Sequence, residues 1–157
     1  MEKRSNHKAP DDLNLNILKE LLVNARISNT EIGRRVGLSA PAVADRILKM
    51  EEQGIIKGST IQLDLDKLGL TIQAFISFKA NSLRHAGLMK LFESMPEITE
   101  WYSVTGNASM ILKIAVATSY ELELVIQKLQ EHGDTSTSLI LTGEKNTSAL
   151  KKIFPAE

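Results

Sequence analysis

At 157 residues, 43% of them hydrophobic, the chain is long enough for one ordinary domain or two small ones with packed cores, and wholesale disorder is excluded. Its 19 basic and 19 acidic residues cancel, so no bulk basic field attracts nucleic acid and any such interface must rest on where the cations sit. The absence of cysteine removes disulfides, thiol chemistry and cysteine-ligated zinc, and no apolar run reaches the roughly 18 residues of a membrane span.

The first twelve residues, "MEKRSNHKAPDD", lack an apolar h-region and read as a short, slightly basic, flexible arm of a cytoplasmic protein. Asp11 or Asp12 then caps a first helix, with Leu13, Ile17, Leu18, Leu21, Leu22 and Ala25 at helical spacing. In "SNTEIGRRVG", Ser28 and Glu31 stand at capping-box spacing, each expected to satisfy a backbone N–H, and Gly37 ends this short second helix. Ser39 caps a third helix with Pro41 in its first turn, where a missing N–H is harmless, and Gly54 stops it. "IIKGSTIQLD" reads as two short strands around Lys57-Gly58, so three helices and a small hairpin describe a winged helix-turn-helix.

From about Thr71 the hydrophobic period changes to two. "IQAFISFKA" is a predicted strand with Ile72, Ala74, Ile76 and Phe78 on one face and Phe75 on the other. "HAGLMKLFESM" is a helix, "ITEWYSVT" and "SMILKIAVA" are strands joined at Gly106-Asn107, "SYELELVIQKLQEH" is a helix capped by Ser119, and "TSTSLILTG" is a last strand. The order βαββαβ is the ferredoxin-like split unit, so the fold class is α+β. The expected organisation is a DNA-binding domain over residues 1–64, a connector over 65–71 and a second domain over 72–157.

At about 100° per residue, Val43, Ile47, Met50 and Gly54 of the third helix share one stripe that faces a core. Pro41, Asp45 and Glu52 point away, flanked by Ala42, Ala44, Leu48 and Lys49. The short side chains of Ser39, Ala40, Pro41, Ala42 and Ala44 let such a helix lie deep in a DNA major groove with its first turns at base edges. Asp45 there can accept from cytosine N4, and Lys49 lies on the same flank. Arg46 is also on the flank, equally suited to DNA or to an ion pair. Ser28 and Asn29, at the start of the second helix, stand near phosphates, to which Arg34, Arg35 and Lys57 add charge. The plainer alternative is a surface helix whose alanines reflect helix propensity.

"ARISNTEIGRRVGLSAPAVADRILKMEEQGII" resembles the helix-turn-helix of the Lrp/AsnC (feast/famine) transcriptional regulators, with its Arg-Ile-Ser start, Val-Gly-Leu-Ser turn and Gly-Ile-Ile end. "LDLDKLGL", "VTGNASMILKI" and "TSTSLIL" resemble that family's effector-binding RAM domain, so the similarity spans about residues 11–143. It implies a dimer with sheets face to face, further assembly to an octamer, DNA wrapping or bending, and a small effector, commonly an amino acid, between RAM domains. The effector residues implied are Gly106, Asn107, Ala108 and Ser109, with Thr135 and Thr137 on the last strand. Read from the residues alone, Gly-Asn is an ordinary turn pair and alternating Thr/Ser is ordinary strand composition. Two departures from the family pattern stand out: no acid follows Gly106, and Asn14 replaces an acidic residue in the first helix.

The functions expected are a sequence-specific regulator responding to a metabolite or, without the acid, an architectural DNA-bending protein. An enzyme is not expected: no nucleophile–base pair and no phosphate-cradling glycine loop occurs, and His7, His85 and His132 lack metal-ligand spacing. No cofactor is expected.

Overall fold

A computed structural model of the chain describes residues 10–81 and 85–143. Residues 1–9 of the expected twelve-residue arm and residues 144–157 at the end of the second domain lie outside the described residues. Packing divides the described chain into two units between Ile61 and Gln62, so the expected connector at 65–71 falls within the second unit.

The first unit holds α1 (Asp12–Val23), α2 (Asn29–Val36) and α3 (Ala40–Glu52). Asp11 caps α1 by accepting from the Asn14 N–H, Ser28 caps α2 by accepting from the Glu31 N–H, and Ser39 caps α3 at a longer 3.4 Å from the Ala42 N–H. Gly37 ends α2 at φ +74°, a left-handed conformation that costs glycine nothing. Ile17, Ile32, Val43 and Met50, one or two from each helix, are fully buried and form the core, with Ile47, Ile55 and Ile56 packed around it. Leu22, expected on the core stripe of the first helix, is exposed near its end, and Ala25 lies beyond it.

The expected wing hairpin does not form: no strand occurs between Ile55 and Leu65 among the described residues. Ile55 and Ile56 pack on the helical core, but Gly58 sits at φ +147° and Ile61 and Leu63 are exposed, so the second segment buries no apolar face and an isolated two-stranded hairpin is marginal in water.

The second unit opens with a 3-10 turn at Asp66–Leu68, followed by β1 (Ile72–Ala80), α4 (His85–Glu93), β2 (Ile98–Ser103), β3 (Met110–Val116), α5 (Ser119–Gln130) and β4 (Gly133–Leu139). The strands form one antiparallel sheet in the order β2-β3-β1-β4, the split βαββαβ arrangement. Ala74, Ile76 and Phe78 of β1 and Met110, Leu112 and Ile114 of β3 are buried with Leu88 and Phe92 of α4 and Leu122, Val125 and Leu129 of α5. Phe78 and Phe92 meet edge to face at 6.1 Å.

Three boundaries differ from expectation. Thr118, not Ser119, caps α5 by accepting from the Glu121 N–H, while Glu121 accepts from the Ala117 N–H. β4 begins at Gly133 because a Cβ there would stand 2.2 Å from the Lys79 carbonyl oxygen, so only glycine lets the strand enter this close. Residues 104–109 form a six-residue connection between β2 and β3, not a two-residue turn, with Gly106 at φ +117°.

Candidate functional site

The turn between α2 and α3 is set by two glycines, Gly33 at the contact with the turn and Gly37 at the left-handed stop of α2. Gly33 is buried with its carbonyl accepting from the Leu38 N–H at 2.9 Å, and a Cβ on it would lie 2.3 Å from the Leu38 carbonyl oxygen. That close approach holds α3 across α2, the arrangement a helix-turn-helix needs. On α3, Val43 and Met50 face inward, fully buried, whereas Pro41, Ala44, Asp45, Leu48 and Lys49 are exposed. Ala40 and Ala42 are half-buried, and Ser39 is exposed with its hydroxyl at the cap. The short-side-chained tip is therefore free on its outward side.

The cations are less free than their spacing implies. Arg34 makes a two-pronged contact with Glu31, Nε to Oε2 at 3.0 Å and Nη2 to Oε1 at 2.8 Å. Arg35 reaches Glu31 at 2.8 Å through Nε and Glu20 of α1 at 2.6 Å through Nη1. Hydrogen bonds from Arg34 and then Arg35 hold the Glu31 carboxyl down at about 2, and Glu31 in turn raises both guanidinium groups. Thus Glu31, expected to reach back to the helix start, is turned to these two arginines, and the cluster of two arginines with Glu20 and Glu31 is charge-balanced. Lys49 Nζ lies 2.7 Å from Asp45, one helical turn away.

Arg46, expected either on DNA or in an ion pair, donates from Nη1 to both Asp11 carboxylate oxygens, at 3.0 and 2.8 Å, and to Asn14 Oδ1 at 2.8 Å. It ties α3 to the capped start of α1. Lys57 is exposed in the extended segment after α3, and Ser28 and Asn29 are exposed at the start of α2. Sequence spacing could not have found Asp11, Asn14 or Glu20 as partners, because they lie 15 to 35 positions from the arginines they meet. No local pattern carries that information.

In the second unit, Gly106 and Asn107 are exposed, and Ala108 and Ser109 half-buried. The Ser109 N–H donates to the Phe78 carbonyl at 2.9 Å and its carbonyl accepts from the Val104 N–H at 3.1 Å, so its backbone serves the sheet and its side-chain hydroxyl is what it can offer a ligand. Thr135 and Thr137 pair with Phe78 and Ile76, on the helix-covered face of the sheet, and Thr135 Oγ1 accepts from Gln130 Nε2 at 3.3 Å. Thr135 lies two strands, about 10 Å, from Met110 at the loop's end. The structure gathers the loop and Thr135 at one end of the sheet. A cleft of about 140 Å³ lies at the opposite end of β2, lined by Met95, Pro96, Glu97, Glu121, Leu124 and Lys128.

The sheet face away from the helices carries Phe75, Ile111, Tyr102, Glu100 and Lys113. Phe75 and Tyr102 are exposed, Glu100 pairs with Lys113 at 3.3 Å, and the Tyr102 hydroxyl donates to Glu100, which raises its pKa. Among the described residues no group of three or more His, Asp or Glu side chains is placed to hold a metal, and no helix is long and apolar enough to cross a membrane.

Comparisons with known proteins agree with both halves of this geometry. The winged helix-turn-helix DNA-binding family matches residues 10–57, and the Lrp/AsnC ligand binding domain family matches residues 73–150. The HTH-type transcriptional regulator LrpB of Bacillus subtilis (strain 168) is 35% identical over 141 residues, covering 80% of this chain and 95% of that protein. The structure of B. subtilis LrpC superposes with a TM-score of 0.82 at 31% identity, covering 89% of this chain and 99% of that one. A feast or famine regulatory protein from M. tuberculosis, complexed with L-methionine, gives a TM-score of 0.81 at 26% identity over 87% of this chain and 95% of that one.

Proposed function

The chain belongs to the Lrp/AsnC family of DNA-binding transcriptional regulators and is not an enzyme, and we propose that it is a sequence-specific regulator whose assembly changes when a small metabolite, an amino acid in the simplest case, binds its second domain. The observation that carries the DNA half is the exposed, short-sided tip of α3, standing over a core that Val43 and Met50 fill from the other side. In this reading Pro41, Ala44 and Asp45 meet base edges in the major groove, with Ser39, Ala40 and Ala42 permitting close approach. Ser28, Asn29 and the start of α2 meet phosphates, and Lys57 and Lys49 add charge. Arg34 and Arg35 exchange their Glu31 and Glu20 partners for phosphate oxygens only in part, and Arg46 braces α3 instead of touching DNA.

The domain limits we retain are residues 1–64 for DNA binding and 72–157 for ligand binding and self-association. The open sheet face with Phe75, Ile111 and Tyr102 is the surface on which two copies pair. Such a dimer offers two α3 helices to half-sites about one helical turn, roughly 34–36 Å, or a multiple apart. Further assembly to an octamer follows the family pattern, and a cytoplasmic location belongs to the same reading.

The effector site is the loop at Gly106, Asn107, Ala108 and Ser109 at a contact between subunits, with Thr135 and Thr137 nearby. The relative bound to L-methionine supports an amino acid as the ligand class. Because no acid stands in this loop, an ammonium group meets the Ser109 hydroxyl or backbone carbonyls, and binds less tightly than to a carboxylate. That same missing acid supports a second reading, an architectural DNA-bending protein with no effector. Selection of duplexes from a random pool by the full chain, with and without each of the twenty amino acids, and light scattering on the same mixtures separate them. The first reading requires enriched, two-fold symmetric sites and a change in assembly with at least one amino acid. Enriched sites with no change for any amino acid would leave the architectural reading, and no enrichment would overturn sequence-specific binding.

A further inference from the structure

We propose that Leu48 is a specificity-determining residue that reads the 5-methyl group of thymine in the major groove. This rests on the DNA-binding reading of α3 above. Leu48 is 54% exposed, while Val43 and Met50 on the other side of the same helix are at 0%. At about 100° per residue, Pro41, Ala44 and Leu48 fall within one strip roughly 60° wide along one flank of the outward face, beside Asp45 and Glu52 at its centre. A single exposed leucine is ordinary on a protein surface. This one sits in the middle of a strip whose other members are too short to keep a duplex away.

The charges around it narrow what the strip can recognise. The commonest specific contact to DNA is an arginine or lysine forked onto guanine O6 and N7. On α3, Arg46 is turned to Asp11 and Asn14, and Lys49 is 2.7 Å from Asp45. The Leu48 strip is therefore apolar, with the exposed Asp45 and Glu52 carboxylates beside it. In the major groove the apolar group a base pair presents is the thymine methyl, and the donor suited to a carboxylate is cytosine N4. Leucine packs a methyl group with its own two and excludes the water that would otherwise cover both.

The test uses the full chain and a duplex selected by it from a random pool, resynthesised with uracil replacing thymine at one position at a time. Uracil keeps the pairing edge and deletes the methyl. At one or two positions in each half-site the substitution should weaken binding about four-fold, the effect expected for one buried methyl group. Leu48→Ala should bind thymine and uracil versions of those positions equally, and Leu48→Met, which keeps an apolar chain, should retain the preference. The slope of affinity with salt should not change in either variant, since no phosphate charge is altered. Equal binding of all uracil duplexes by the unaltered protein would overturn the assignment. So would a Leu48→Ala variant that still discriminates. Failure to select any duplex would instead sink the DNA-binding reading itself.

Discussion

Replacing Arg46 with alanine separates a brace from a DNA contact. In the folded chain its guanidinium, 28% exposed, donates to Asp11, 57% exposed, and to Asn14, joining the middle of α3 to the cap of α1. Hydrogen bonds to charged groups contribute about 1.5–3 kcal/mol when well shielded, and exposed ion pairs about 0.2–1 kcal/mol. The half-shielded geometry puts the loss at about 1.5 kcal/mol, with no further penalty at Asp11, which is 57% exposed and still accepts from the Asn14 N–H. For a unit of this size that is a fall of roughly 6–12 °C in midpoint. The assay can assign the loss to one unit, because Trp101, Tyr102 and Tyr120 all lie in the second. Far-UV circular dichroism should show an early transition of the helical first unit in Arg46→Ala, while Trp101 fluorescence unfolds as before. DNA affinity should fall because α3 is less well held, with the salt slope unchanged. An unaltered melting profile with a salt slope reduced by about one would refute the brace and return Arg46 to the phosphate backbone.

Four further outcomes follow from the same geometry. Glu31 has its carboxyl lowered from 4.5 to about 2, so its pairing contributes stability above about pH 4.5 that is lost as pH falls toward 2; the stability difference between the unaltered protein and Glu31→Gln, followed by urea titration, should be constant at neutral pH and shrink across that window, and a difference independent of pH would contradict it. Gly33→Ala drives a Cβ against the Leu38 carbonyl oxygen and should cost the first unit about 1–3 kcal/mol by circular dichroism, whereas unchanged stability would mean the turn can relax. Lys57→Ala should lower the salt slope of DNA binding by about one unit and Arg35→Ala by less, since Arg35 is already held by Glu20 and Glu31; equal losses would show that those carboxylates let go. Ser109→Asp should tighten amino-acid binding in calorimetry, and no heat for any amino acid with either form would make residues 106–109 only a connection.

What could be read from the chain was what is local. Caps at Ser28 and Ser39, the stop at Gly37 and the buried stripe of α3 are set by neighbours a few residues apart, and these agree with the structure. The alternation in β1, with Phe75 opposite Ala74 and Ile76, likewise follows from the two-residue repeat of a strand. What could not be read depends on distant residues. Arg46 meets Asp11 35 positions away, and the pairing of Arg35 with Glu20 crosses from α2 to α1. The wing was expected from two short apolar segments around Lys57-Gly58, a pattern that does not show that Ile55 and Ile56 join the helical core while Ile61 and Leu63 stay exposed. In the candidate ligand site, Gly106 and Ser109 were legible as a connection, but the use of the Ser109 backbone by Phe78 was not, since it depends on sheet order.

The measurement that most directly tests the central claim, that the outward face of α3 enters the major groove, is disulfide trapping from Ala44. The chain has no cysteine, so Ala44→Cys introduces a single thiol at an exposed position with little change in size. The selected duplex would carry a thiol tether either on cytosine N4, which projects into the major groove, or on guanine N2, which projects into the minor. The expected result is rapid cross-linking to the N4 tether at one position of each half-site and none to the N2 tether. Cross-linking to the minor-groove tether, or to neither while the variant still binds the duplex, would contradict the account.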